Sequence, residues 1–344
     1  MKVKLDVNKI KIGVVGAGSW GTALANLLGH KGFKIDLWVF EKDVKEQIES
    51  SRENQIFLPG VSLSRNIFPS NDLAGVVTGK DLVLVVVPSH VMRDTGKKIQ
   101  VDISPETIVV SASKGIENKT HLTMSGVLRQ ILHDTPEDFF AVLSGPSFAR
   151  EVAEKIPTVV AAASKDQTVA GFVQNVFATP YFRVYTNNDM IGVELGGAVK
   201  NVIAIASGVI EGLGLGLNAR AALITRGLTE MRRLGLKLGA NPRTFAGIAG
   251  VGDLVLTCTG VVSRNYTVGE KIGEGMKLNE ILSEMRMVAE GVKTAKSVYN
   301  LSRKLGVEMP ICHEIYRILY EDLSPKKAVH RLMTRALKHE LDEV

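Results

Sequence analysis

The chain has 344 residues, of which 45% are hydrophobic and 23% charged, and its formal net charge is +6. This length predicts about two domains with a sizeable buried core, and the composition is ordinary for a globular protein. The basic residues are scattered and balanced by acids, which argues against a nucleic-acid partner and fits a small anionic ligand better. Uninterrupted apolar runs such as Leu82–Val87 are far too short to cross a membrane, so we expect no membrane span.

Residues Met1–Asn8 alternate charged and apolar side chains and contain no apolar signal core, so we expect a cytoplasmic protein. Cys258 and Cys312 lie far apart and form no CxxC pair, which predicts two buried thiols rather than a disulfide or a metal site. The seven histidines show no HxxxH spacing. We therefore predict no metal.

A short β-rich run, Lys9–Val15, leads into the sequence GAGSWG and then into a helical segment, Thr22–His30. A GxGxxG motif between a strand and a helix is typical of dinucleotide binding. In that motif Gly16 makes the tight turn, Gly18 lets the backbone approach a pyrophosphate, and Gly21 lets the helix pack on the strand. The alternative is a glycine turn with a purely structural role.

Two further residues bear on this cofactor site. Trp20 lies inside the motif, where its large ring is either plain core or a wall beside the diphosphate. Glu41 follows a second predicted strand, Lys34–Phe40, and lies 20 positions after Gly21. An acid at about that spacing commonly binds the ribose hydroxyls of the adenosine.

More strands follow, each with a helical segment or a turn after it. They are predicted at Asp81–Val87, Thr107–Ser111, Ala141–Leu143, Thr158–Ala163 and Phe182–Thr186. This repeated alternation predicts an α/β fold, with a doubly wound, mainly parallel Rossmann-type sheet in an N-terminal dinucleotide-binding domain over residues 1–188.

The pattern changes at Asp189, after which the sequence is helical and almost free of strand signals. We expect an all-helical C-terminal domain over residues 189–344 that binds the substrate. Its predicted helices run from a cap at Asn218 through Leu238, and over Ala295–Leu305, Ile311–Tyr320 and Pro325–Leu337, with a frayed tail at His339–Val344.

Lys200 is the only charged residue between Glu194 and Glu211, in an apolar, proline-free segment typical of a buried helix. A lysine in such a helix either finds an anion or has its pKa lowered, and a lysine with a lowered pKa is a good proton donor and acceptor. The alternative is a lysine whose stem lies on apolar surface while its amine reaches water. This segment alone does not distinguish the buried lysine from the lysine that reaches water.

A dinucleotide site together with an isolated lysine indicates hydride transfer coupled to proton transfer, with Lys200 supplying the proton to a ketone oxygen. Such an ammonium needs a partner that orients it. Asp253, in the glycine-rich sequence GVGD, is the best candidate for this second catalytic residue. Its alternative is a turn carboxylate that binds its own backbone.

The tripeptide Ser263-Arg264-Asn265 offers a hydroxyl, a guanidinium and an amide, which suit a phosphate or a carboxylate. Its alternative is a helix N-cap followed by a surface arginine. Lys114 follows a predicted strand and is either an anion contact or a solvated loop lysine.

Several long segments of the chain closely resemble the bacterial-type NAD(P)-dependent glycerol-3-phosphate dehydrogenases. The segments are GAGSWGTALA, VVVPSH, SASKGIE, LSGPSFA, IGVELGGAVKNVIAIASG, NARAALITRGL, GVGDLVLTC, SRN, VAEG and GVEMPI, and the resemblance extends from about Lys9 to Arg335. It implies interconversion of sn-glycerol 3-phosphate and dihydroxyacetone phosphate, which supplies the glycerol phosphate backbone of phospholipids. It also implies a phosphorylated small-molecule substrate, and we add a homodimer as an expectation.

The resemblance also implies roles for individual residues in catalysis, substrate binding and cofactor binding. It makes Lys200 the proton acceptor. The implied substrate contacts are Lys114, Gly145, Ser147, Lys200, Asp253, Ser263, Arg264 and Asn265. The implied cofactor contacts are Ser19, Trp20, Lys114, Ala149, Arg264, Val288 and Glu290, in addition to Gly16, Gly18, Gly21 and Glu41 from the motif and its spacing.

The chain departs from the family at Phe40, where a basic residue or histidine is common. Glu41 would repel the 2′-phosphate of NADPH, and Phe40 carries no charge to offset that repulsion, although Lys42 would if it turned inward. The cofactor is therefore NAD or NADP, and we expect NADH to be used at least as well as NADPH.

Two rival functions stay open at this point. The first is a reductase of a small keto or 3-hydroxy acid built on the same two-domain plan, because the tripeptide at Arg264 does not exclude a carboxylate. The second is a non-catalytic dinucleotide sensor, against which Lys200 argues because a sensor has no use for a buried proton donor.

Overall fold

A computed structural model describes residues 9–285 and 287–340. The expectations for Met1–Asn8 and for the last four residues of the tail fall outside the described residues. The chain forms two compact units. The first contains the residues up to Lys114 together with residues 122–194, and the second contains residues 115–121 together with those from Leu195 onward.

The first unit is built on one eight-stranded sheet. Its strands are β1 (Ile12–Val15), β2 (Ile35–Trp38), β3 (Ile67–Ser70), β4 (Leu82–Val85), β5 (Ile108–Ser111), β6 (Phe140–Ser144), β7 (Thr158–Ser164) and β8 (Phe182–Asn187). Their order is β3-β2-β1-β4-β5-β6-β7-β8, and every neighbouring pair is parallel except β6 and β7. The doubly wound, mainly parallel sheet is thereby confirmed.

Helices connect these strands, and the most buried strands carry near-continuous apolar sequences because both faces of the sheet are covered. The helices are α1 (Ser19–His30), α2 (Lys42–Ser51), α3 (Leu73–Val77), α4 (Met92–Ile99), α5 (Met124–Ile131), α6 (Ala149–Ala153) and α7 (Gln167–Phe177). Short 3₁₀ helices lie at Ser89–Val91 and Glu137–Phe139.

Strand β3 was not predicted. Its sequence is IFPS, with an exposed Phe68 and a proline that cannot donate to a sheet. It lies at the edge of the sheet, where β2 is the one described strand that pairs with it. Because an edge strand tolerates proline and needs few buried residues, its sequence carries little strand signal.

From Met190 onward the described residues form helices and no strand, which confirms the helical half. The helices are α8 (Met190–Gly212), α9 (Gly216–Lys237), α10 (Asp253–Thr259), α11 (Arg264–Gly273), α12 (Leu278–Glu284), α13 (Glu290–Leu305), α14 (Pro310–Tyr320) and α15 (Pro325–Met333). A 3₁₀ helix lies at Pro242–Ala246 and a π-helical segment at Ile248–Gly252.

Two boundaries in this half differ from the prediction. Asn218 does not cap α9, because Gly214 and Gly216 adopt positive φ angles of 67° and 79° and complete the turn earlier. Helix α15 ends at Met333 rather than Leu337, and both of these side chains are exposed, so no buried face extends the helix.

Helix α8 is long and apolar enough to cross a membrane by length and composition, but its most apolar stretch is entirely buried within the protein. It packs against α11 backbone to backbone. A Cβ atom at Gly208 would collide with the carbonyl oxygen of Tyr266, and one at Gly269 would collide with the carbonyl oxygen of Ile205. Gly212 and Gly273, one turn further along each helix, meet the facing backbone in the same way.

Both cysteines are buried and unbridged, as expected. Burial raises the pKa of Cys258 to about 12, so this thiol stays protonated at neutral pH.

Glu230 on α9 is buried and accepts hydrogen bonds from the backbone N–H groups of Ile311 (2.6 Å) and Cys312 (3.1 Å), at the start of α14. Burial raises the pKa of Glu230 to about 7, from an ordinary value of 4.5, although the two N–H groups oppose this change. Glu194 binds the start of α5 similarly, through the N–H and hydroxyl of Ser125.

We expect Glu230 to make stability depend on pH. The folded protein binds its extra proton between the two pKa values, so the contribution of Glu230 to stability is fully present below about pH 4.5 and is lost as pH rises to about 7. The loss is on the order of 3 kcal/mol. Urea unfolding should show this fall between about pH 4.5 and pH 7 in the wild type and a smaller one in Glu230→Gln. Identical pH profiles would contradict the assignment.

Candidate active site

The turn between β1 and α1 uses its three glycines differently. Gly16 has a φ of 118°, donates its N–H to the carbonyl of Trp38 (3.2 Å), and leaves no room for a Cβ beside Val86. A Cβ at Gly21 would collide with the carbonyl oxygen of Gly16. At Gly18, by contrast, a Cβ would have no described atom within 4 Å. Gly16 and Gly21 therefore serve packing, whereas Gly18 leaves the turn open to a ligand.

Helix α1 begins immediately after this open glycine, with Gly18 at its N-cap and no side chain to cap it. An uncapped helix N-terminus presents N–H groups and a partial positive charge, which favour an anion. Trp20 packs against the core, and its indole Nε1 is buried without a hydrogen-bond acceptor among the described residues. A buried donor of this kind is normally satisfied, so the turn offers both an anion site and an unused donor.

The other predicted residues of the first unit lie at the carboxyl ends of neighbouring strands. The chain runs from β1 to β2 and β3 on one side and continues with β4 to β6 on the other, which makes the β1–β4 boundary the switch point where ligands bind. After β5, Lys114 donates from Nζ to the carbonyl of Gly145 after β6 (3.0 Å). The Ser147 hydroxyl donates to the same carbonyl (2.9 Å), and Ala149 begins α6.

Glu41 lies at the same edge of the sheet, between β2 and α2, and its side chain is partly exposed. The preceding Phe40 is 71% exposed, and the following Lys42 is also exposed. The surface next to Glu41 thus presents the apolar ring of Phe40 and the ammonium group of Lys42.

In the second unit Lys200 is only 6% exposed. Its Nζ donates to the carboxylate of Asp253 and to the hydroxyl of Thr257 (2.7 Å). Asp253 is fully buried, so the alternative of a lysine reaching into water is wrong. The expected contact between Lys200 and Asp253 is present.

The local backbone explains this pairing. Asp253 begins α10 directly after the π-helical segment Ile248–Gly252, an irregularity often found at functional sites. A Cβ at Gly196 would collide with the carbonyl oxygen of Ala249, so α8 approaches this segment closely. Thr257 was not predicted. It lies four residues after Asp253, on the same helical face, and that spacing could have identified it.

The tripeptide at 263–265 has mainly structural contacts. Ser263 caps α11 by accepting from the N–H of Tyr266 (3.4 Å), which confirms the N-cap alternative for this residue. Asn265 donates to the side chain of Asn201 (2.9 Å) and accepts from the N–H of Gly291 (2.9 Å). Asn265 therefore connects α11 to the turn of α8 that carries Lys200.

Arg264 is exposed, and its Nη1 donates to the carbonyl of Val288 (2.9 Å). Glu290, two residues after Val288, is the first residue of α13. The second unit thus brings together Lys200 with Asp253, and Arg264 with Val288. A role for any of these residues in binding a substrate or a cofactor stays a prediction.

These features define an α/β protein with a dinucleotide-binding turn and a helical second unit that contains a buried, paired lysine. Two family models match the chain. One, described as the N-terminus of NAD-dependent glycerol-3-phosphate dehydrogenase, matches residues 11–170, and the other, described as its C-terminus, matches residues 189–330. The chain belongs to the NAD-dependent glycerol-3-phosphate dehydrogenase family.

Individual relatives agree. A protein of Syntrophobacter fumaroxidans named glycerol-3-phosphate dehydrogenase [NAD(P)+] is 56% identical over 96% of this chain and 97% of its own length. The crystal structure of a glycerol-3-phosphate dehydrogenase from Coxiella burnetii is 41% identical, with a TM-score of 0.91 over 95% of this chain and 99% of that one. A ketopantoate reductase from Ralstonia eutropha, 13% identical with a TM-score of 0.58 over 93% of this chain and 100% of its own, shares the fold alone.

Proposed function

We propose that this protein catalyses the NAD(P)-dependent interconversion of sn-glycerol 3-phosphate and dihydroxyacetone phosphate, a reaction that feeds glycerophospholipid synthesis. The observation that carries the proposal is the buried Lys200, held by Asp253 and Thr257, in a chain of this family. Such an arrangement suits proton transfer to an oxygen atom.

The first unit fits the dinucleotide. The open side of Gly18, the uncapped start of α1 and the unused indole donor of Trp20 are the groups that would hold its diphosphate and the adjoining part of the cofactor. Lys114, Gly145, Ser147 and Ala149 lie after strands of the same sheet and are proposed as further contacts. When bound, the reduced cofactor supplies the hydride.

Lys200 would hold and move the proton. Its ammonium would donate to the ketone oxygen of the substrate as negative charge develops there, and take the proton back from the alcohol in the reverse direction. Asp253 and Thr257 fix the position of Nζ, so little rearrangement is needed when the proton moves. Arg264 is the cation proposed for the substrate phosphate, with Ser263 and Asn265 beside it in sequence.

The proposal also covers the domain organisation, the oligomeric state and the cellular compartment of the protein. We place the dinucleotide-binding domain at 1–188 and the helical substrate-binding domain at 189–344, supported by the two family models. We also propose a cytoplasmic homodimer without a nucleic-acid partner. The unbridged cysteines support a reducing compartment. Light scattering after gel filtration would test the dimer.

The decisive experiment is an assay of the purified protein. Oxidation of NADH or NADPH should be rapid with dihydroxyacetone phosphate and negligible with small keto acids. Turnover of a keto acid at a comparable rate would favour the rival reductase. Tight NADH binding without turnover of any of these ketones would favour the sensor.

Arg264→Ala should lower kcat/KM for dihydroxyacetone phosphate by about thirtyfold, mainly through KM. Loss of a buried charge-assisted contact costs about 2–5 kcal/mol when its partner stays desolvated, and the exposure of Arg264 in the free protein places the expected loss at the lower end. Arg232→Ala, which removes another exposed arginine of the second unit, should change little. Dihydroxyacetone, which has no phosphate, should be a poor substrate of both forms. Equal losses for the two substrates would mean that Arg264 does not bind the phosphate.

Glu41→Ala should improve the use of NADPH relative to NADH. Glu41 lies at the edge of the sheet that carries Gly16, where a carboxylate binds the ribose hydroxyls of NADH and repels the 2′-phosphate of NADPH. The ratio of kcat/KM for the two cofactors, in wild type and variant, measures this. A wild-type preference for NADPH of about tenfold, or 1.4 kcal/mol, would mean that Lys42 or a distant residue binds the 2′-phosphate.

A further inference from the structure

A cavity of about 340 Å³ lies in the second unit between α14 and α15. Three arginines line it, Arg317, Arg331 and Arg335, together with His313 and Glu314. None of these residues belongs to the site around Lys200. Arg331 and Arg335 also lie beyond the residues matched by the family model, which ends at 330.

The charges around this cavity are predominantly positive. Among the described residues, two separate groups of ion pairs lie beside it, one centred on Glu314 and one on Glu308, with five basic side chains and three carboxylates in all. The basic members are Arg233, Arg317, Arg331, Arg335 and Lys338, and the acidic ones are Glu308, Glu314 and Glu321. Within the part of the chain that the structure describes, Arg331 forms an ion pair only with Glu314, at 3.8 Å, which is too far for a hydrogen bond. Its planar guanidinium therefore has donors available for another anion.

Glu314, which also lines the cavity, favours a ligand that can donate a hydrogen bond. Its side chain is 9% exposed, and its Oε1 accepts from Arg317 at 2.7 Å. Its Oε2 is buried and accepts no hydrogen bond from the described residues. A buried oxygen without a donor is costly, so a ligand that brings a hydroxyl to this position would be favoured.

His313 adds little charge of its own. Burial and the neighbouring guanidinium groups of Arg317, Arg303 and Arg335 lower the pKa of His313, so its ring is neutral near pH 7. Its Nε2 lies 2.8 Å from the hydroxyl of Ser302. An anion placed among the arginines would offset their effect on this ring.

We propose that the cavity between α14 and α15 binds a hydroxyl-bearing phosphomonoester. The guanidinium groups of Arg331 and Arg335 would bind the phosphate, for which planar paired donors are well suited. A hydroxyl of the ligand would donate to Oε2 of Glu314. The volume falls at the lower end of the range for small-molecule sites, about 300–1,000 Å³, and suits a ligand the size of a sugar phosphate.

Calorimetric titration of the full-length protein with glucose 6-phosphate tests this. The wild type should bind it, the double variant Arg331→Ala/Arg335→Ala should bind at least about tenfold more weakly, and Arg232→Ala should match the wild type. Ethyl phosphate, which has no free hydroxyl, should bind the wild type more weakly than glucose 6-phosphate. Equal affinity of wild type and double variant would overturn the proposal, as would no binding to the wild type.

A second measurement uses the wild type alone and does not depend on the folding of a variant. The imidazole signals of His313, followed by NMR across a pH titration, should report a higher pKa in the presence of glucose 6-phosphate than in its absence. A His313 titration unchanged at saturating ligand would place the binding elsewhere and overturn the proposal.

Discussion

Lys200→Ala should lower kcat by about a hundred- to ten-thousandfold, the range that a positioned general acid contributes. The reason is that Nζ of Lys200 is the buried ammonium proposed to exchange a proton with the substrate oxygen. Binding of NADH should stay nearly intact, because the residues proposed to hold the diphosphate lie in the first unit, around Gly18. Steady-state kinetics and a fluorescence titration with NADH measure the two effects separately.

This variant leaves the buried carboxylate of Asp253 without its cation, which is destabilising in itself. Thermal unfolding must therefore accompany the kinetics. Lys200→Met, which keeps an unbranched stem, serves as a second form. Asp253→Asn should give a milder loss of kcat because it removes the orienting charge but keeps the amine. A folded Lys200→Ala protein with near-normal kcat would eliminate the proposed role.

Features that depend on neighbouring residues in the chain were predictable. The turn at Gly16–Gly21 follows from the steric requirements of a strand, a tight turn and a helix within a few residues. Seven of the eight strands followed from apolar runs, whereas β3 did not because its edge position removes the need for an apolar sequence. Lys200 was identifiable because a single charge in an apolar helix needs a partner.

Features that depend on distant contacts were less accessible. Asp253 was proposed as the partner of Lys200 from its glycine-rich loop, but the contact itself joins residues 53 positions apart and depends on how α8 packs against α10. The two structural hydrogen bonds of Asn265 likewise depend on how α8, α11 and α13 pack. The cavity between α14 and α15 combines side chains of two helices and has no motif in the sequence.

The glycines between α8 and α11 give the last prediction. Gly269→Ala should destabilise the protein by about 3 kcal/mol, at the upper end of the cost of overpacking. The added Cβ would collide with the carbonyl oxygen of Ile205 and lie 2.9 Å from the N–H nitrogen of Val209, and backbone atoms cannot rotate away as a side chain can. The helices would have to separate, and they carry Lys200 and Arg264 respectively.

Gly171→Ala is the matched control. Gly171 also lies inside a helix, α7, but a Cβ there would meet no described atom within 4 Å. Since alanine favours a helix over glycine by about 1 kcal/mol, this variant should be as stable as the wild type or slightly more so. Thermal unfolding of the three proteins, with kcat measured for each, compares the two sites. If Gly269→Ala unfolded at the same temperature as Gly171→Ala, the close approach of α8 and α11 would be of no energetic importance. A lower unfolding temperature together with a lower kcat would show that this approach also positions Lys200.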